Sequence, residues 1–147
     1  MTSETSGPVE RVRALFAEDT ASAALGIEVL EATDGRARLR MTVRPDMVQG
    51  HGSCHGGLLF ALADSAFAAA CNQGPGGPVV GASAEITWVS PAFIGDVLEA
   101  EAVEHTRFGR NGVTDVTVRR AVDHRVVALF RGRSLELSRR PGAQEGP

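Results

Sequence analysis

At 147 residues the chain is long enough for one domain with a sizeable core and too short for two. Its 43% hydrophobic and 22% charged residues are ordinary globular composition, and a formal net charge of -3 argues against a nucleic-acid binder, whose footprint is strongly basic. All 15 basic residues are arginine, which excludes a Schiff-base lysine and a P-loop.

The opening M-T-S-E-T-S-G-P has neither a basic region nor an apolar run, and residues 1–7 read as a flexible tail. Pro8 suits the first turn of a helix, and Val9, Val12, Leu15 and Phe16 follow at helical spacing, predicting a short covering helix that ends at Gly26. Residues 27–30 read as a strand, and Asp34-Gly35 as a tight hairpin turn. The next run alternates, with Ala37, Leu39, Met41 and Val43 on one side and Arg36, Arg38, Arg40 and Thr42 on the other, the pattern of a half-buried strand. Pro45 and Asp46 break it.

Residues 49–72, Q-G-H-G-S-C-H-G-G-L-L-F-A-L-A-D-S-A-F-A-A-A-C-N, change character halfway. The first half is glycine and histidine with small polar residues. From Gly57 to Cys71 the chain is apolar on every face except for Asp64, which predicts a central helix wrapped by the rest of the domain, with an isolated buried carboxylate. It is also too short and too interrupted to span a membrane, so a soluble cytoplasmic protein is expected.

After it, G-P-G-G-P reads as a loop. Residues 79–89 read as a strand with Val80, Ala82, Ala84, Ile86 and Trp88 on one face, closed by Pro91. Three more strands are expected at 96–105, 113–121 and 126–137, with turns at 109–112 and at Asp123-His124 and hairpins favoured among the last four. Residues 138–147 read as a disordered polar tail. The sum is an α+β domain over 8–137, a largely antiparallel sheet curved around one long helix.

The glycines at the helix start leave backbone N–H groups unpaired at the positive end of the dipole, so Gly56 and Gly57 read as a polarising site for a carbonyl oxygen or an anion. Seven residues of helix place Asp64 on nearly the same face as Gly57 but about 10 Å along the axis. For both to serve one reaction, the acid must come from a second copy of the helix lying antiparallel to the first, which makes a two-fold dimer with two composite sites.

The string H-G-G-L-L-F-A-L-A-D-S-A-F-A-A-A-C-N, followed by S-P-A-F-I-G-D and A-L-F-R-G-R-S, resembles the hotdog-fold acyl-CoA thioesterases of the PaaI family. The likeness covers residues 15–137. It implies a hotdog dimer, usually paired back to back as a tetramer, that hydrolyses a coenzyme A thioester without metal or other cofactor. The family's acid falls on Asp64 as nucleophile or general base, its polarising glycine N–H on Gly57, and the histidine that shapes the site on His55. A family asparagine falls at Gln49, a departure that keeps the amide on a side chain one methylene longer. The resemblance points to phenylacetyl or hydroxyphenylacetyl thioesters, in a pocket for which Phe60, Leu59, Phe67 and Trp88 are the candidate walls.

Coenzyme A brings phosphates, for which Arg107 and Arg110, flanking the turn at Phe108-Gly109, are the first candidates, with Arg131 and Arg133 behind them. A zinc site from His51, Cys54, His55 and Cys71 matches no common finger spacing and is set aside, as is a Cys54-His55 nucleophile pair. A hydratase or dehydratase acting on acyl thioesters, or a non-catalytic acyl-CoA-binding module, remains the alternative.

Overall fold

Two helices open the domain in the computed structural model, which describes residues 7–138. The expected tails therefore lie outside the described residues but for Gly7 and Ser138. Helix α1 spans Pro8–Ala17 and α2 spans Thr20–Ala24, where one helix to Gly26 was expected. The break is made by Asp19, whose side chain accepts from Ser22 N–H and so restarts the helix as an N-cap. Gly26, at φ 72°, ends α2.

Strands β1 (Glu28–Thr33) and β2 (Arg36–Thr42) form the expected hairpin, with Asp34 and Gly35 both at positive φ, 54° and 73°. A 3-10 turn at Pro45–Met47 and a glycine-rich loop lead into α3 (Gly56–Cys71). Then come β3 (Val79–Trp88), β4 (Val97–Phe108), β5 (Asn111–Arg120) and β6 (Val126–Glu136). All six strands join one antiparallel sheet in the order β1-β2-β4-β5-β6-β3.

Three details differ from the sequence expectation. Strands β3 and β4 are not a hairpin: β3 crosses to the far edge and pairs with β6 alone. Gly112 lies inside β5 rather than in the turn, and a Cβ there would fall 2.7 Å from Ser134 Oγ on the neighbouring strand. A bulge between Gly81 and Ser83 shifts the parity of β3, so Ala84, Ile86 and Trp88 share a face with Gly81 rather than with Val80.

Helix α3 packs against every strand of the sheet. Leu59, Leu62, Ala63, Ala66, Phe67, Ala69 and Ala70 are buried on it, meeting Leu39 and Met41 from β2, Leu98 and Ala100 from β4, and Val116 and Val118 from β5 in one core. Removing a side chain such as Leu62 from water contributes about 1.5–3 kcal/mol, and residues of this kind hold the sheet to the helix. The wrapping is nevertheless incomplete. Gly57 and Asp64 are exposed, and Ala61 and Ala68 half-buried, along one stripe of α3 spaced at helical intervals. The expected sealed carboxylate is corrected here: six strands reach round three sides of α3 and leave Asp64 on the fourth.

Candidate active site

The loop before α3 is pinned from three directions. Val48 bridges to Cys54, the Cys54 N–H donates to the Ala92 carbonyl at 2.7 Å, and the His55 N–H donates to the Met47 carbonyl at 2.8 Å. These bonds fix where α3 begins. His55 is its N-cap, and its Nδ1 accepts the Gly57 N–H at 3.1 Å. Nδ1 must be bare to accept, so the ring proton sits on Nε2. The donor expected to polarise a carbonyl is therefore held by its own histidine in the single chain.

The two glycines do different work. A Cβ at Gly56 would lie 2.9 Å from Trp88 Nε1, the atom that donates to the Gly56 carbonyl at 3.1 Å. The Trp88 indole thus occupies the space that a side chain at Gly56 would take. A Cβ at Gly57 would meet only the His55 ring, at 3.3 Å from Nδ1, and this residue is exposed. Gln49 is turned into its own loop, with its amide nitrogen donating to Ser53 Oγ at 2.8 Å and its amide oxygen accepting from His51 N–H. Both ends of the longer amide are used.

Two turns along α3, Asp64 stands on the wall of a cavity of about 450 Å³ between α1, the α1–α2 junction, α3 and the start of β3. Leu15, Phe16, Phe67, Ala68, Val79 and Val80 give that cavity an apolar lining. Crowding by these groups pushes the Asp64 carboxyl above the ordinary aspartate range, and the negative charge of Asp19 adds to the rise. Asp19 is held by Ser22, through N–H at 2.9 Å and Oγ at 2.7 Å, and Ser22 Oγ meets Ser65 Oγ at 2.8 Å beside Asp64. A carboxylate so raised is a better proton acceptor than a free one.

Of the four expected pocket walls, Phe67 alone lines this cavity. Phe60 instead lies edge-on against Phe130, ring centroids 5.3 Å apart, half-buried and outside the lining of the cavity beside Asp64. Leu59 is buried beneath the helix.

The arginines separate as well. Arg107 is not a free cation: its guanidinium reaches Glu104 and Glu136, each at 3.0 Å, and the Cys71 carbonyl at 2.9 Å, closing the C-terminal end of α3. Arg131 holds Asp115 with two bonds, 2.6 and 2.8 Å, and Asp115 also meets His105 Nε2 at 2.7 Å. Arg133 donates to Asn111 Oδ1 at 2.8 Å and Arg110 to Ser138 Oγ at 2.7 Å, and among the described residues neither has a carboxylate partner. Arg131 and Arg133 are exposed and alternate with buried Phe130, Gly132 and Ser134, so they stand on the sheet face turned away from α3.

The thiols are poor nucleophiles. Burial pushes Cys54 up to about 11 and Cys71 up to about 12. Among the described residues, no group of three or more His, Cys, Asp and Glu side chains is placed to hold a metal ion, and no helix is long and apolar enough to cross a membrane.

Sequence reasoning brings Asp64, Gly57, His55 and Gln49 to one helix and its leading loop, but it misses the contribution of the N-terminal helices. Leu15, Phe16, Glu18 and Asp19 complete the cavity beside Asp64. The readable signal is Asp19 three residues before Ser22, an N-cap spacing inside what the apolar periodicity presents as one helix.

Comparison with known proteins identifies the family. The profile of the Thioesterase superfamily matches residues 51–127. Acyl-coenzyme A thioesterase PaaI of Escherichia coli (strain K12) is 40% identical over 125 residues, covering 85% of this chain and 88% of that one. The structure of the E. coli PaaI protein from the phenylacetic acid degradation operon superposes with a TM-score of 0.85 at 38% identity, covering 89% of this chain and 94% of that one. A single-residue variant of the phenylacetic acid degradation protein PaaI from Thermus thermophilus gives a TM-score of 0.76 at 39% identity, covering 81% and 100%. With its curved six-stranded sheet around α3 the chain has the hotdog fold; it belongs to the thioesterase superfamily and is an acyl-CoA thioesterase of the PaaI type.

Proposed function

We propose that the enzyme hydrolyses aryl-acyl or medium-chain acyl thioesters of coenzyme A, phenylacetyl- and hydroxyphenylacetyl-CoA first among them, at composite sites made by two antiparallel α3 helices. The observation that carries this reading is the position of Asp64, on the uncovered stripe of α3 and beside an apolar cavity, about 10 Å along the helix from Gly57. A single chain cannot bring the two to one carbonyl. A second copy laid antiparallel along the stripe covers its apolar side chains and brings each Asp64 toward the other helix's start.

The edge of the sheet supports the same pairing. Strand β3 is bonded on one side only and nearly all of its residues are exposed, so it offers an open row of N–H and C=O groups next to the uncovered stripe. Continuing the sheet through β3 of a second copy satisfies that row. Back-to-back pairing of such dimers gives the tetramer.

In this site the thioester oxygen receives the Gly57 N–H in place of His55 Nδ1, and negative charge builds there as the carbonyl carbon is attacked. With Asp64 as general base, water bonds to that carbon, its proton passes to the carboxylate and the carbon–sulfur bond breaks to release coenzyme A thiolate. With Asp64 as nucleophile, the same bond breaks to leave an anhydride that water then opens. Arg110 and Arg133 keep the charge that the coenzyme's phosphates need, while Arg107 and Arg131 are engaged by carboxylates.

The test is a panel of phenylacetyl-, 4-hydroxyphenylacetyl-, benzoyl- and hexanoyl-CoA with thiol release as readout. The two arylacetyl thioesters are expected to give the highest kcat/KM. A preference for short unbranched acyl groups, or turnover that survives Asp64→Asn, contradicts the reading.

A further inference from the structure

The cavity beside Asp64 carries a charge pattern that the hydrolytic chemistry does not require. Its walls are apolar, from Leu15 and Phe16 on α1 to Phe67 on α3 and Val80 on β3, and its volume of about 450 Å³ falls in the usual range for small-molecule sites. Among the described residues, every charged side chain on those walls is acidic: Glu18, Asp19 and Asp64.

We propose that this cavity holds the acyl end of the thioester and that Glu18 and Asp19 make the enzyme select uncharged acyl groups against those ending in a carboxylate. The assignment rests on Asp64 acting at the thioester carbonyl, because the acyl group must then extend into the space that Asp64 borders. An acyl carboxylate entering it loses water to apolar walls and meets three like charges, with no arginine among the described residues of the lining to offset them. Asp19 is fixed in place by Ser22, so it cannot swing away, and its field already reaches Asp64. A methyl, phenyl or phenolic end escapes this repulsion, and a phenol hydroxyl can donate to the acidic rim.

Hexanoyl-CoA and adipoyl-CoA test this directly, since the two acyl chains have equal length and differ in ending in a methyl group or a carboxylate. The wild-type enzyme is expected to favour hexanoyl-CoA in kcat/KM by about 100-fold. The double variant Glu18→Gln with Asp19→Asn, in which the amide oxygen retains the α2 cap, is expected to narrow that ratio at least about tenfold, chiefly through the KM for adipoyl-CoA. Glu18→Gln alone, at an exposed position, is expected to narrow it in part, and Leu15→Arg, which puts a cation on the wall, to narrow it as well. Comparable wild-type rates for the two thioesters, or a ratio unmoved in both the double variant and Leu15→Arg, overturn the proposal. If hexanoyl-CoA is hydrolysed and the ratio does not move, the cavity assignment alone fails. If no uncharged acyl-CoA is hydrolysed, the proposed function fails with it.

Discussion

The two ends of α3 are built on opposite plans. At the C-terminal end almost every polar group is spoken for. The Asn72 side chain donates to the Ala68 and Val79 carbonyls and accepts from Val79 N–H; Gln73 donates to the Arg36 and Ala69 carbonyls and accepts from Gly35 N–H; Arg107 closes on Cys71. At the N-terminal end the Gly57 amide has one replaceable partner, His55, and the residue is open to solvent. Saturated hydrogen bonding holds a fold, because each group lost leaves its partner unpaired. A group that can change partners is available for chemistry.

The largest way to break this contrast is to remove the acid. Asp64→Asn is expected to lower kcat by roughly 10²–10⁴-fold, the usual span for a general base, while the protein still folds, because the side chain is exposed in the single chain. Steady-state kinetics beside thermal unfolding measures both, and a variant that loses activity only by unfolding would place Asp64 with the structural groups.

A core change gives the reverse pattern. A Cβ at Gly132 would lie 2.7 Å from the Phe67 ring, which is already tilted against Phe130, so Gly132→Ala is expected to destabilise by about 1–3 kcal/mol. Denaturant titration reads that loss. Its catalytic effect should be felt through Phe67 on the cavity wall.

Arg107 sharpens the comparison from the other end. Arg107→Gln is expected to cost about 1 kcal/mol of stability, kept small by partial solvent screening, and to leave the KM for coenzyme A thioesters within about twofold. Arg110→Gln with Arg133→Gln is expected to raise KM several-fold with no loss of stability. Exchange of these two outcomes would return the phosphate role to Arg107.

The smallest effect is on pH. Because Asp64 titrates above the ordinary aspartate range, activity should rise with pH through that raised value, and Asp19→Asn, which removes one of its two causes, should move the acid limb down. For stability the sign is that of an acid with a raised folded pKa. Its contribution is fully present below the unfolded pKa and is lost as pH rises through the folded one, so at neutral pH the ionised carboxylate weakens the fold. Asp64→Asn is expected to raise stability slightly at pH 7, an effect kept small by solvent screening of the exposed carboxylate, and not at pH 3, measured by thermal unfolding.

Much of this is legible in the sequence because local pattern and global fold agree. The alternation of Ala37, Leu39 and Met41, the Asp34-Gly35 turn and the apolar run after Gly57 each have one physical reading, and the structure follows it. What is not legible depends on distant partners. Nothing near Arg107 in sequence announces Glu136 or the Cys71 carbonyl, and nothing near Gly56 announces the Trp88 indole. An all-apolar helix implies a buried Asp64, but how far a six-stranded sheet wraps is a property of the whole sheet. The stripe of Gly57, Ala61, Asp64 and Ala68 left outside the wrapping is where that inference fails, and it is the surface on which the proposed second subunit would lie.

Subunit complementation tests the composite site most directly. Asp64→Asn removes the acid, and Gly57→Pro, tolerated in the first turn of a helix, removes the N–H. Each variant alone should be nearly inactive. Unfolded and refolded together at equal ratio, half of the dimers are mixed and each mixed dimer holds one intact pair, so about a quarter of wild-type activity should return. Activity no higher than the average of the two separate variants would contradict a site shared between two chains.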